Sequence, residues 1–220
     1  MKTYGQFCPV AMALEVVGDR WSLLVVRELL AGSARFSEMM RGMPRIPRSM
    51  LSRRLTQLEE RGMIRRTEDA GGRVTYALTD AGRALRGPVD ALGRWGRQWV
   101  QAGMTDEHLD ASLVLWDMQR RIDFDAVPDE RVVVRFELSG GERYWLKLEP
   151  GEADVCTTHP GFEETLVLRS DTRALTEVWA GLRDFSEAIA QRRIRIDGPR
   201  RHARALPDWL RLNAYARDPG

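Results

Sequence analysis

Five residues between positions 48 and 56 have the types and the spacing to read nucleic-acid bases. Arg48, Ser49, Ser52, Arg53 and Thr56 stand at i, i+1, i+4, i+5 and i+8, one side of an α-helix. Arginine pairs with the major-groove edge of guanine through two donors, and serine or threonine bonds to several bases. The other side of the same stretch carries Leu51, Leu55 and Leu58, a stripe that must face a core. A helix that buries those leucines turns the polar set outward, and its N-terminal end adds a dipole that favours phosphate. Downstream, Arg65 and Arg66 lie on one side of Asp69-Ala70-Gly71-Gly72 and Arg73 on the other. A narrow basic hairpin tip of that kind fits phosphates or a minor groove. From 35 to 73 there are 10 arginines and 5 acids. The bland alternative is a solvated, arginine-rich helix face, so the decision falls to the elements around it.

Those elements follow from local signals. Pro9 opens a short helix over about 9–17, ended by Gly18. Asp19 is expected to cap a second helix through Trp21, Leu24, Val25 and Leu29, closed by Gly32. Ala34-Arg35-Phe36 reads as extended, and Ser37 as the cap of a third helix over 38–43 that Pro44 stops. Ser37 joins the DNA-facing candidates. The turn MPRIP leads into the helix over 48–61, with Gly62 as its stop. The period then changes, and 63–68 and 73–78 read as the strands of a hairpin. Thr79 is expected to cap one long helix over 80–103, where Leu85, Val89, Leu92, Trp95 and Trp99 repeat at three and four residues. Two short helices joined by a turn, then a glycine-tipped hairpin, is the order of a winged helix-turn-helix. The apolar row on the long helix exceeds what so small a unit buries, so it is expected to form a dimer seam with the N-terminal helix.

The second half reads differently. A helix over about 106–121 carries Leu109, Leu113 and Trp116. Val132, Val134, Phe136 and Leu138 alternate on one strand and Tyr144, Leu146 and Leu148 on the next, joined at Gly140-Gly141. Weaker strands fall over 152–158 and 164–169, helices near 171–191, a strand at 193–196, and a last helix to about 215. The expected class is α+β, with a winged-helix domain over 1–104 and a small α/β domain over 105–220.

Charge supports that division. Residues 1–104 hold 17 Lys+Arg and 10 Asp+Glu, while 105–220 hold 17 and 22, so a basic half precedes an acidic one. With 43% hydrophobic and 30% charged residues, the chain is not disordered. No apolar run approaches the roughly 20 residues of a membrane span. Two cysteines give neither a disulfide framework nor a four-thiolate zinc site, and the expected compartment is the cytoplasm. His108, His159 and His202 lack metal-ligand spacing, and no catalytic motif or cofactor signature stands out. The chain is therefore not expected to be an enzyme.

Residues about 7–100 resemble the HxlR family of bacterial winged-helix regulators. The segments that carry the resemblance are CPVAMALEVVGDRWSLLVVREL, RFSEMMRGMPRIPRSMLSRRLTQLEERGMIRR and VTYALTDAG. It implies a homodimer on a palindromic operator. It places Arg48, Ser49, Ser52 and Arg53 on the recognition helix, Arg73 at the wing, and Cys8 at a cysteine many members carry. One departure is Pro47, where many members have a serine able to cap the recognition helix. More loosely, residues about 106–215 resemble the sterol-carrier-protein type of α/β domain, through TEVWAGLRDF and the RIRIDG strand before a final helix. That type binds hydrophobic molecules in a tunnel. Trp116, Phe136, Trp145 and Trp179, with Trp209, are then the candidate pocket residues for a hydrophobic small molecule, against the ordinary reading of core. Cys8, just ahead of a helix N-terminus that favours a thiolate, is a candidate redox switch. The competing classes are a hydrophobic-molecule carrier that uses the winged helix as a scaffold and a protein-interaction module.

Overall fold

The computed structural model describes residues 3–216 of the 220-residue chain. They form two compact units, Met1–Gly93 and Arg94–Gly220, a division eleven residues before the one drawn from sequence.

In the first unit, α1 (Pro9–Val17), α2 (Ser22–Leu30), α3 (Phe36–Gly42) and α4 (Arg48–Glu60) precede a hairpin of β1 (Ile64–Glu68) and β2 (Val74–Leu78). Then come α5 (Asp80–Ala84) and α6 (Arg86–Trp99), and the boundary between the units falls inside α6. Leu51, Leu55 and Leu58 are buried with Val25, Val26, Met39 and Ile46. The leucine stripe is thus the core face the sequence requires.

Three local expectations change. Asp19 does not cap α2: the N-cap is Trp21, in the left-handed region at φ 80°, with no side-chain cap. The Asp19 backbone carbonyl accepts from Ser22 N–H, and its carboxylate is drawn to Arg54 instead. Ser37 does not cap α3 either, because the helix starts at Phe36, two residues earlier than expected, and its N-cap is Arg35. The carboxylate of Glu38 reaches back and accepts from the N–H groups of Ala34 and Arg35, both at 2.8 Å. The single helix over 80–103 is broken at Leu85. Pro88 has no N–H for the carbonyl of Ala84, and its ring crowds that carbonyl; it is tolerated only because it falls in the first turn of a new helix.

The second unit contains α7 (Ala111–Gln119), β3 (Val132–Leu138), β4 (Arg143–Glu149), β5 (Glu152–Cys156) and β6 (Leu166–Ser170). It continues with α8 (Thr172–Trp179), α9 (Phe185–Ala190), β7 (Ile194–Asp197) and α10 (Arg200–Trp209). The sheet order is β5-β4-β3-β6-β7, antiparallel except for the β3–β6 pair. Phe136 lies opposite Tyr144, Val134 opposite Leu146 and Val132 opposite Leu148, so the alternating residues of both strands share one face. Leu115 and Met118 of α7 and Leu175 and Val178 of α8 belong to the same core as that face.

Here too boundaries move for physical reasons. Asp110 accepts from Leu113 N–H at 3.1 Å and starts α7 at Ala111, so Leu109 falls outside the helix and Val114, Leu115 and Met118 form its buried face. The last helix ends at Trp209 rather than near 215, because Leu210 leaves it to pair with Ile122.

Candidate nucleic-acid interface

Burial sorts the residues of α4 cleanly. Its leucines are buried, while Arg48, Ser49, Ser52, Arg53 and Thr56 are all exposed. Pro47 is the N-cap and supplies no side-chain bond. Its carbonyl accepts from Met50 and Leu51, and the first N–H groups of the helix are left for an outside acceptor such as phosphate. The Arg48 guanidinium lies 5.3 Å from the centre of the Phe36 ring, which ties the start of α4 to α3. Ser37 is exposed in the first turn of α3. Arg45, in the turn between α3 and α4, is exposed too. Helix patterning misses it, although an arginine between the two prolines of MPRIP is a signal in itself.

Two buried polar groups fix these helices, and neither stands out in the sequence. Arg54 is on the inner side of α4, its side chain 8% exposed. Its guanidinium donates to Asp19 Oδ2 at 2.6 Å, to the Arg20 carbonyl at 2.9 Å and to Gln57. It therefore holds the turn between α1 and α2, where Trp21 sits in a conformation costly for a bulky residue. Glu28 is fully buried on α2. Ser33 donates to it at 3.2 Å and Arg27 at 2.7 Å, and Arg27 also donates to the Gly42 carbonyl at 3.0 Å. A Cβ on Gly42 would fall 2.0 Å from that carboxylate, so only glycine lets α3 approach α2 this closely.

The hairpin is shaped by Asp69, whose Oδ1 accepts from the N–H groups of Gly71 and Arg73, each at 2.9 Å, while Gly72 takes φ 74°. Strand register then separates the arginines. Arg66 shares the face of buried Ile64 and pairs with Glu68 at 2.7 Å, so its charge is already answered. Arg65 is on the opposite face with Thr67, and Arg73 stands at the tip; both are exposed and neither is ion-paired among the described residues.

The candidate seam residues divide. Val89 is buried in the core of the first unit and Leu85 packs partly against it. Leu92, Trp95 and Trp99 are exposed, as are Phe7, Val10 and Met12 near the N-terminus. The candidate pocket residues are not gathered around one point. Phe136 and Trp179 lie in the core, with the Trp179 indole N–H donating to Asp117 at 2.9 Å. Trp145 projects from the opposite sheet face, beside Arg135, and donates to Glu164 at 2.8 Å. Trp116 is buried under the Arg120 guanidinium, 5.4 Å from its ring.

Cys8 is the N-cap of α1. Cys8 makes no side-chain cap bond, but the backbone N–H groups of Ala11 and then Val10 at the helix N-terminus draw its thiol below the usual cysteine range. More thiolate is then present at a given pH than in free cysteine. Iodoacetamide labelling of Cys8 in a Cys156→Ser background is expected to rise with pH earlier than labelling of free cysteine. A profile matching or lagging free cysteine would contradict the geometry.

Residues 16–104 match the model of the HxlR-like helix-turn-helix family. The uncharacterized HTH-type transcriptional regulator YvaP of Bacillus subtilis is 34% identical over 104 residues, which span 46% of this chain and 96% of that protein. An uncharacterized HTH-type transcriptional regulator of Methanothermobacter thermautotrophicus is 38% identical over 94 residues, 42% of this chain and 72% of its own length. The reduced form of the regulator YodB from B. subtilis is 30% identical, with a TM-score of 0.39 over 45% of this chain and 100% of that one. No helix among the described residues is long and apolar enough to cross a membrane. The match runs through both helices of the helix-turn-helix and the wing, and the chain belongs to the HxlR-like family of helix-turn-helix transcriptional regulators.

Proposed function

We propose that the chain regulates transcription as a homodimer that binds a palindromic operator in double-stranded DNA. The observation that carries this reading is α4, whose leucine side is buried while all five polar residues of the other side are exposed. Ser52 and Arg53 contact bases in the major groove, Arg48, Ser49 and Thr56 flank them, and Ser37 contacts the backbone from α3. Arg65 and Arg73 of the wing contact phosphates or the minor groove. The exposed apolar residues of α1 and α6, among them Leu92, Trp95 and Trp99, support the dimer seam. Recognition helices in such a dimer lie about 34 Å apart, one turn of DNA. A monomer in sedimentation at micromolar concentration would overturn the seam.

Footprinting on the DNA upstream of its own gene tests the DNA reading. A protected inverted repeat is expected, and uniform salt-sensitive coating with no preferred site would contradict it. Arg73→Ala is expected to weaken operator and unrelated duplex about equally, since a backbone contact carries no sequence information.

Two regulatory inputs complete the proposal. Cys8, with its stabilised thiolate, is a redox switch. The second unit takes a hydrophobic small molecule, supported by its apolar sheet face under helices that carry Trp116 and Trp179. Phe136 lies on that face, while Trp145, on the other one, would not touch the same ligand. Quenching of tryptophan fluorescence by fatty acids, sterols and aromatic acids, followed by DNA titration with any hit, tests this input. A ligand that leaves DNA affinity unchanged would leave the unit as an interaction module.

A further inference from the structure

The two exposed arginines of α4 differ in what they touch. Neither Arg48 nor Arg53 has an ion pair or a side-chain hydrogen bond among the described residues. Arg48 nevertheless has a fixed neighbour, because its guanidinium carbon lies over the Phe36 ring, 5.3 Å from the ring centre. Phe36 is the first residue of α3, half-buried and packed against the core that holds Val25, Met39 and Ile46.

The backbone around this pair is pinned. Glu38 holds the N–H groups of Ala34 and Arg35 just ahead of the ring, each at 2.8 Å. In the turn between α3 and α4, the Ile46 N–H donates to the Met43 carbonyl at 3.0 Å, and both side chains are buried. The core therefore sets the position of the ring, and the ring holds the arginine. No acid competes for the guanidinium from either helix. Glu38, the acid of α3, is taken up by those N–H groups and by Arg35, and the acids of α4, Glu59 and Glu60, stand at its far end. A cation over a ring face is held by the ring quadrupole and not by hydrogen bonds, so the Arg48 N–H donors stay available. Ordering a free arginine on binding costs rotamer entropy, and Arg48 has given up part of that freedom already in the free protein.

We propose that Phe36 is a positioning residue that determines specificity, presetting Arg48 for paired hydrogen bonds to the O6 and N7 of one guanine in each half-site; the proposal rests on the reading of α4 as the recognition helix. Arg48 stands in the first turn of α4, the end of a recognition helix that meets base edges, and its donor fork matches the two guanine acceptors. A guanidinium free to swing follows a displaced acceptor, whereas one held over a ring loses the second bond when the base changes. The ring therefore sharpens the choice of base without touching the base itself.

The test is a panel of duplexes titrated with the full chain. Each base pair of the half-site in the duplex footprinted upstream of the gene is replaced in turn, and each guanine is also exchanged for 7-deazaguanine, which lacks the N7 acceptor. Discrimination at a position is the ratio of affinities for the original and the replaced duplex, and this ratio does not depend on the fraction of protein that is folded. Wild type is expected to prefer guanine at the Arg48 position about tenfold and to bind the 7-deazaguanine duplex more weakly. Arg48→Ala should remove both effects at that position and leave the other positions as they are. Phe36→Leu keeps apolar bulk without a ring face and should lower discrimination about threefold at the same position, while Phe36→Tyr should keep it. Adding Phe36→Leu to Arg48→Ala should change discrimination no further, because the ring acts through the arginine. If Phe36→Leu keeps the wild-type preference, the ring only packs and the proposal fails. If Arg48→Ala weakens every duplex alike, the arginine holds a phosphate and the proposal fails as well. The recognition-helix reading fails separately, when Arg53→Ala leaves the base preferences unaltered at positions that Phe36 does not control.

Discussion

Arg54→Ala is expected to cost about 2–3 kcal/mol of stability in the first unit, whereas the neighbouring Arg53→Ala should leave stability within about 0.5 kcal/mol. The two arginines are adjacent in sequence but serve different purposes. Arg54 points inward and donates to Asp19 and to the Arg20 carbonyl. Removing it strands a backbone carbonyl and opens a cavity beside α4. The full penalty for breaking a buried ion pair does not apply, because the Asp19 side chain is 61% exposed and regains water. The turn that keeps Trp21 at φ 80° also loses its clamp. Hydrogen exchange of amides in α2 and α4 should accelerate about 30- to 150-fold, every 1.4 kcal/mol being tenfold. Unchanged exchange would show that Arg54 does not hold the turn.

Gly82→Ala is expected to destabilise the same unit by about 3 kcal/mol, at the upper end for overpacking. Gly82 is buried on α5, and a Cβ there would stand 2.0 Å from the Met63 carbonyl oxygen and 3.0 Å from Leu78. Neither neighbour is free to move. The Met63 carbonyl accepts from the Thr79 N–H at 3.0 Å and from its hydroxyl at 3.1 Å, and Leu78 closes the β1–β2 hairpin opposite Ile64. The added methyl must therefore push α5 off the root of the wing. A lower denaturant midpoint together with weaker DNA binding is expected. An alanine variant as stable as wild type would mean that the helix and strand are not packed this closely.

What the sequence made legible follows from periodicity and punctuation. Leu51, Leu55 and Leu58 fixed the orientation of α4, and with it the exposed set from Arg48 to Thr56. Gly140-Gly141 and the alternating residues beside it gave the β3–β4 hairpin in the correct facing. Caps were less legible, because several residues compete for each one. Asp19 looks like a helix cap, but a long-range arginine claims its carboxylate, and Ser37 yields to a glutamate one residue on. Pro88 is hidden inside an apolar repeat that runs on either side of it. The pocket candidates rest on residue type, and type does not reveal that odd and even positions of paired strands put Phe136 and Trp145 on opposite faces. Arg54 is invisible among exposed arginines, since only a fold brings position 19 to position 54.

The central claim is that the outward face of α4 reads DNA sequence, and a titration of the footprinted duplex with Arg53→Ala measures it most directly. The guanidinium of Arg53 is exposed and ion-paired with nothing among the described residues, so its removal leaves the fold intact. The expected result is a loss of about 1–3 kcal/mol in operator affinity, with specificity relaxed at one base pair in each half-site and little change on unrelated duplex. Equal affinity of variant and wild type for the operator, with the same base preferences, would contradict the assignment of α4 as the recognition helix.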